Sequence, residues 1–169
     1  YLGKVWLANF SGLCVIDPET EKVTNFTVDR DRKDQLTTHN VICLFEDSKR
    51  RMWVGSDDGV FLYNRKKNTF VHYQHSAAQP GSLVGNSVRG IVEDSDGTIW
   101  IGTEQGLSML LPDGKTFRNF RHNQVDQNSL SSNEVYAMAS DGKGKLWLGT
   151  EEGLNILDVK SLKVSTYKP

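Results

Sequence analysis

The sequence predicts an all-β chain made of β-propeller blades, each of four antiparallel strands. Three observations carry this. The chain repeats itself in phase at a long period. Each repeat holds four short runs rich in β-branched and aromatic residues, with turn residues between them. No window shows a sustained 3.6-residue apolar period with helix caps. Repeats of 20–50 residues mean a solenoid, a propeller or an array, and four short strands per unit select the propeller.

The repeat is anchored on tryptophan. The four copies are "VWLANFSGL", "MWVGSDDGV", "IWIGTEQGL" and "LWLGTEEGL". They place Trp6, Trp53, Trp100 and Trp147 at steps of 47 residues, and these are all the tryptophans of the chain. Six residues before Trp stand Asp47, Asp94 and Asp141, and twelve before it Val41, Val88 and Val135. Six after it stand Gly12, Gly59, Gly106 and Gly153, and twenty after it Phe26, Tyr73, Phe120 and Tyr167.

Within a unit the first strand is typified by "VICLFED". Ten before Trp it carries Cys43, Gly90 or Ala137, small residues suited to the crowded axis of a ring. Eleven before Trp it carries Ile42, Arg89 or Tyr136, which leave on the other face, near the channel.

A turn follows, "DSDG" or "DGKG", with Asp first and Gly fourth, a type I signature. Copy two has Arg50 in place of this Gly, which predicts a positive φ or a distorted turn there. Turn formation accounts for Asp47, Asp94 and Asp141.

The second strand holds the Trp between apolar neighbours on the opposite face: Val5/Leu7, Met52/Val54, Ile99/Ile101 and Leu146/Leu148. Both faces are apolar, as in a sheet sandwiched between two others. A Trp buries roughly 200 Å² and needs a notch. Gly55, Gly102 and Gly149, two after Trp, are expected to leave it, with Ala8 in copy one. The Gly six after Trp is expected to serve the turn into the third strand, where φ > 0 suits Gly. "GVFLYN" and "FVHYQH" are the third and fourth strands of copy two.

The blades are read as 1–29, which lacks its first strand, then 30–76, 77–123 and 124–169. That is about 3.75 blades, a partial ring, since closed propellers have roughly four to eight. The chain starts at Tyr1 inside a strand and is expected to be a piece of a longer one, or a half-ring completed by a second copy. No run is long and apolar enough to read as a membrane helix.

Composition excludes some classes of function. A net charge of −1 with 24% charged residues lacks the basic face that nucleic acid requires. No metal or cofactor is expected. Cys14 and Cys43 match no metal or redox spacing and read as two free thiols. His75 and His122 hold the same place in successive units and read as structural. Asp57-Asp58 and Glu151-Glu152 read as solvated turn residues, with too few ligands for calcium. No HExxH, GxSxG or P-loop is present, so no residue is read as catalytic.

Binding is expected where the copies differ, at loops on one mouth of a rigid scaffold. Arg89 and Tyr136, at neighbouring blade mouths, are suited to hydrogen-bond and stack on a polar ligand. His39, Asn86 and Asn133, which precede the first strands, complete the candidate set. Inter-blade packing for the first pair, and bonds of the Asn side chains to their own backbone, are the structural alternatives.

The units "NSVRGIVEDSDGTIWIGTEQGLSML" and "NEVYAMASDGKGKLWLGTEEGLNILD" closely resemble the two-component regulator propeller repeat. The shared pattern is N-x-V, a D-x-x-G turn, apolar-W-apolar-G-T and x-x-G-L; copy two departs from it at Arg50 and Val60. The resemblance implies a periplasmic sensor region of a hybrid histidine kinase of the kind found in gut Bacteroides-type bacteria, part of an inner-membrane protein. It implies a carbohydrate fragment as ligand, a dimer in the full-length protein, and no catalytic residue in the repeat. A propeller lyase or glycosidase, or a scaffold without a ligand site, are the competing readings.

Overall fold

The computed structural model describes residues 3–9, 11–32 and 34–168, so Tyr1 and Phe10 of the first copy lie outside the described residues. Among the described residues there is no helix. The described residues form fifteen strands in four separate sheets.

The first sheet has three strands, β1 (Val5–Asn9), β2 (Gly12–Ile16) and β3 (Val23–Asn25). The second is β4 (Val41–Glu46), β5 (Met52–Ser56), β6 (Gly59–Asn64) and β7 (Thr69–Tyr73). The third is β8 (Val88–Glu93), β9 (Ile99–Thr103), β10 (Gly106–Leu110) and β11 (Phe117–Phe120). The fourth is β12 (Val135–Ser140), β13 (Lys145–Thr150), β14 (Gly153–Asp158) and β15 (Val164–Tyr167). In every sheet the strands follow chain order, and each pair is antiparallel. This is the meander of a propeller blade, and the four sheets form an open arc rather than a ring.

Blade packing follows the Trp. Trp53 is fully buried in one cluster with Leu83, Val88, Ile99, Ile101 and Phe117 of the third blade. Trp100 is fully buried with Leu130, Val135, Leu146, Leu148 and Val164 of the fourth. The covering residues hold the same repeat positions both times. Burying an indole of roughly 200 Å² at about 25 cal/mol per Å² contributes on the order of 5 kcal/mol before entropy is counted. The expectation of two apolar faces therefore holds for the inner blades and not for the ends. Trp147 is 41% exposed, because no blade covers it. Val5 and Leu7, which hold the covering positions in blade one, are 48% and 44% exposed.

The turn aspartates do more than shape turns. Asp47 Oδ1 accepts the backbone N–H groups of Lys49 and Arg51, while Oδ2 accepts the indole N–H of Trp53 at 2.9 Å. Asp94 repeats this, with turn bonds from Asp96 and Thr98 and the Trp100 indole at 2.7 Å. Arg50 has φ of 60°, as its replacement of Gly predicts.

Gly55 and Gly102 have a different role from the one expected. The notch at Gly55 is filled by Cys43 of its own blade and Val88 of the next, and that at Gly102 by Met138 and Val135 of the next, not by the indole. A Cβ on Gly55 would lie 2.5 Å from Cys43 Sγ and 2.7 Å from Val88 Cγ1. One on Gly102 would lie 2.5 Å from Met138 Sδ and 2.9 Å from Val135 Cγ1. Glycine here lets the β-branched residue that opens the neighbouring blade wedge against the sheet. Gly59, at φ of 98°, meets the turn expectation, and a Cβ there would also strike the Tyr73 carbonyl.

Cys14 and Cys43 are both free. Burial pushes the Cys43 thiol up to about 11, against the lowering effect of a hydrogen bond with the Gly55 backbone, so it stays protonated and unreactive at neutral pH.

Candidate functional site

In a blade of this meander, the start of the first strand, the second-to-third turn and the end of the fourth strand share one end of the sheet. The candidate residues all gather at that end, on three levels.

The innermost level is the first strand of each blade, where β4, β8 and β12 pack side by side. The pairing of each with its second strand slips by one residue near its start, at Val41/Cys43, Val88/Gly90 and Val135/Ala137. Ile42, Arg89 and Tyr136 are the extra residues of these bulges. A bulge redirects a side chain out of the pleat, and Arg89 and Tyr136 are both exposed. The Tyr136 hydroxyl donates to Glu134 Oε2 at 2.6 Å. That bond, with burial and the charges of Glu134 and Glu151, raises the phenol above its usual range against the pull of Arg89.

The second level is a loop clasp that the sequence does not announce. Asn86 Oδ1 accepts the backbone N–H of His75, and Asn133 Oδ1 accepts that of His122. The bond reaches eleven residues back, rather than to the Asn's own backbone. His75 Nδ1–H donates to the Leu83 carbonyl and His122 Nδ1–H to that of Leu130. Ser82 and Ser129 close the same loops through the backbones of Ser76 and Asn123. The carbonyl oxygens of Asn86 and Asn133 thus anchor backbone. His39, at the equivalent place in blade two, is exposed and lies beside Gly12.

The third level is a cleft of about 980 Å³ at the same end of blade two. Thr37 and Thr38 come from the segment leading into β4, Asp57 and Asp58 from the β5–β6 turn, and His72, Gln74 and His75 from the end of β7 and beyond. Asp58 accepts from the Thr37 hydroxyl and from Gln74 Nε2 at 2.8 Å. Asp57 accepts from Thr38 Oγ1 at 2.8 Å and from Asn40 Nδ2 at 3.0 Å. His72 stacks on Phe61 at 3.9 Å between ring centroids and donates Nε2–H to the Asp58 carbonyl. Burial lowers its pKa, against the opposing pull of Asp58, so the ring is neutral at pH 7.

Sequence reasoning left Asp57 and Asp58 to solvent. The available signal was that blade two alone has Asp-Asp where its siblings have Glu104-Gln105 and Glu151-Glu152, together with His39 in place of Asn. Among the described residues no cluster of His, Cys, Asp and Glu is arranged to hold a metal ion.

No curated protein matches the sequence. Among solved structures, the chain is similar to the extracellular domains of two proteins described as hybrid two-component systems of Bacteroides thetaiotaomicron. The first superposes with a TM-score of 0.83 at 22% identity, over 98% of this chain and 23% of that one. The second gives 0.73 at 21% identity, over 90% of this chain and 20% of that one. This chain thus spans about a quarter of their length or less. It is also similar to virginiamycin B lyase from Staphylococcus aureus, with a TM-score of 0.68 at 17% identity, over 98% of this chain and 52% of the lyase. At these identities the likeness is one of fold. The family model for the two-component regulator propeller matches residues 35–58, 82–105 and 129–152, in phase with the Trp repeat. These three segments are therefore two-component regulator propeller repeats.

Proposed function

We propose that this chain is a non-catalytic segment of an extracytoplasmic sensor. In this reading a periplasmic propeller detects a carbohydrate fragment and signals across the inner membrane to a cytoplasmic histidine kinase. The observation that carries the reading is the repeat itself, matched three times in phase by the two-component regulator model. Fold alone does not choose, since the same arc superposes on sensor domains and on a lyase.

The test is binding against turnover. Incubated with polysaccharide digests, the chain is expected to retain a fragment and release no new product. Product formation would transfer it to the lyase or glycosidase class. Arg89→Ala and Tyr136→Ala, read by calorimetry with the retained fragment, separate a channel-mouth site from a bare scaffold. A tenfold loss or more places the ligand there.

The uncovered face of blade four belongs to the same reading. It accepts a further blade, from the rest of a ring or from a second copy whose Val5 and Leu7 hold the covering positions. Sedimentation equilibrium tests the second-copy arm. Self-association that Trp147→Lys abolishes supports it, and a monomer at every concentration removes it.

A further inference from the structure

Blade two breaks a rule that blades three and four keep, and the cleft lies beside the break. The repeat puts Phe61, Ser108 and Asn155 at one position, eight residues after Trp. In blade three, Ser108 Oγ accepts the Val84 N–H and donates to Asn119, whose amide binds the Ser82 carbonyl. In blade four, Asn155 binds Ser131 through both its amide oxygen and its amide nitrogen. These buried polar side chains draw the loop that leads into the blade down onto the sheet and spend their hydrogen-bonding capacity doing so. Phe61 has none to spend. The position of Asn119 is taken by His72, which stacks on Phe61 instead of reaching the loop. The loop of blade two is tied instead to the carboxylates of the β5–β6 turn, Thr37 to Asp58 and Thr38 to Asp57, and the cleft opens between that turn, the loop and the end of β7. Departures from a sequence's own local rule concentrate at functional sites.

We propose that this cleft is a binding site for an uncharged, hydroxyl-rich ligand such as a neutral oligosaccharide. Its volume of about 980 Å³ is at the upper end of ligand sites. A carboxylate has about four acceptor positions. Asp58 uses two of them within the protein and Asp57 two, so each can still accept hydroxyl groups. Arg30 and Gln79 supply donors from the opposite sides. The balance of charge sets the selectivity. Two carboxylates face one guanidinium, and the neutral His72 adds nothing, so the lining repels uronates and sulfated sugars. The binding claim stands on this chemistry. Only the ligand's role as a signal rests on the sensor reading.

The test is a titration of the chain, followed by amide chemical shifts, with maltohexaose, mannohexaose and xylohexaose as neutral probes and hexagalacturonate and a heparin hexasaccharide as acidic ones. A neutral probe is expected to shift the amides of Thr37, Thr38, Asp57 and Ser76, and the acidic probes to leave them in place. Asp57→Asn and Gln79→Ala, both at exposed positions, are expected to weaken the neutral probe at least fivefold, while Lys160→Ala, exposed and outside the cleft lining, leaves it unchanged. Silence of the cleft amides toward every neutral probe, or a response to the acidic probes, overturns the inference. A probe that binds only through Arg89 and Tyr136 overturns it while keeping the sensor reading. A probe that binds the cleft and is cleaved keeps the site and overturns the non-catalytic reading.

Discussion

Gly55→Ala is expected to destabilise the chain by about 2–3 kcal/mol, and Gly149→Ala by less than about 0.5 kcal/mol. The two glycines hold the same place in their blades, so backbone preference does not separate them. The neighbour does. At Gly55 the added methyl would meet Cys43 Sγ and both Cβ and Cγ1 of Val88 inside 3.4 Å. Val88 is fully buried and β-branched, and its side chain is stiff. Relief therefore requires the blades to part. At Gly149 the nearest atom is Ala137 Cβ at 3.7 Å, an ordinary contact. Gly102→Ala should fall between them, at about 1–2 kcal/mol, because Met138 is flexible enough to yield part of the space. Urea unfolding of the three variants measures the order. Equal losses at Gly55 and Gly149 would show that strand propensity, not the wedge between blades, sets the effect.

Asp94→Ala should lower stability by about 3 kcal/mol, and Asp141→Ala by less than about 1 kcal/mol. Asp94 accepts the indole N–H of the fully buried Trp100 and two turn N–H groups. Its removal leaves the indole N–H of a fully buried ring without its partner. Asp141 is exposed and accepts only the turn N–H groups of Lys143 and Lys145, which solvent can serve.

Asp47 adds a pH signature to the same design. Burial raises its pKa, but bonds from the Trp53 indole and from the backbone and side chain of Arg51 outweigh this, and the net value is lowered. A carboxyl with a lowered native pKa stabilises fully above its unfolded value, about 3.9, and loses that contribution as pH falls through the native value. Unfolding free energy followed downward from pH 6 should fall steeply below about pH 4, and less steeply in Asp47→Asn.

The blade was legible in the sequence because its determinants are local and repeated. Period, strand runs and Gly turns specify a four-stranded meander without reference to the neighbouring blade. Arg50 illustrates this, since a missing turn Gly was enough to place a positive φ. Contacts between blades were less legible. Nothing within one unit says that Gly55 makes room for Val88 rather than for Trp53, because the two lie 33 residues apart in sequence. The candidate site divides in the same way. The outward projection of Arg89 and Tyr136 could be read from their position, whereas the bulges that produce it depend on the register with β9 and β13. The cleft stayed hidden because its lining comes from segments far apart in sequence, from Arg30 to Gln79, which only the folded blades bring together.

The open end of the arc also supplies a built-in optical reporter. Trp53 and Trp100 are sealed from solvent, and Trp147 is the one exposed indole among the described residues. Its emission should be red-shifted and selectively quenched by iodide. Any body seated on that last sheet would reverse both effects, so assembly can be followed by fluorescence without a label.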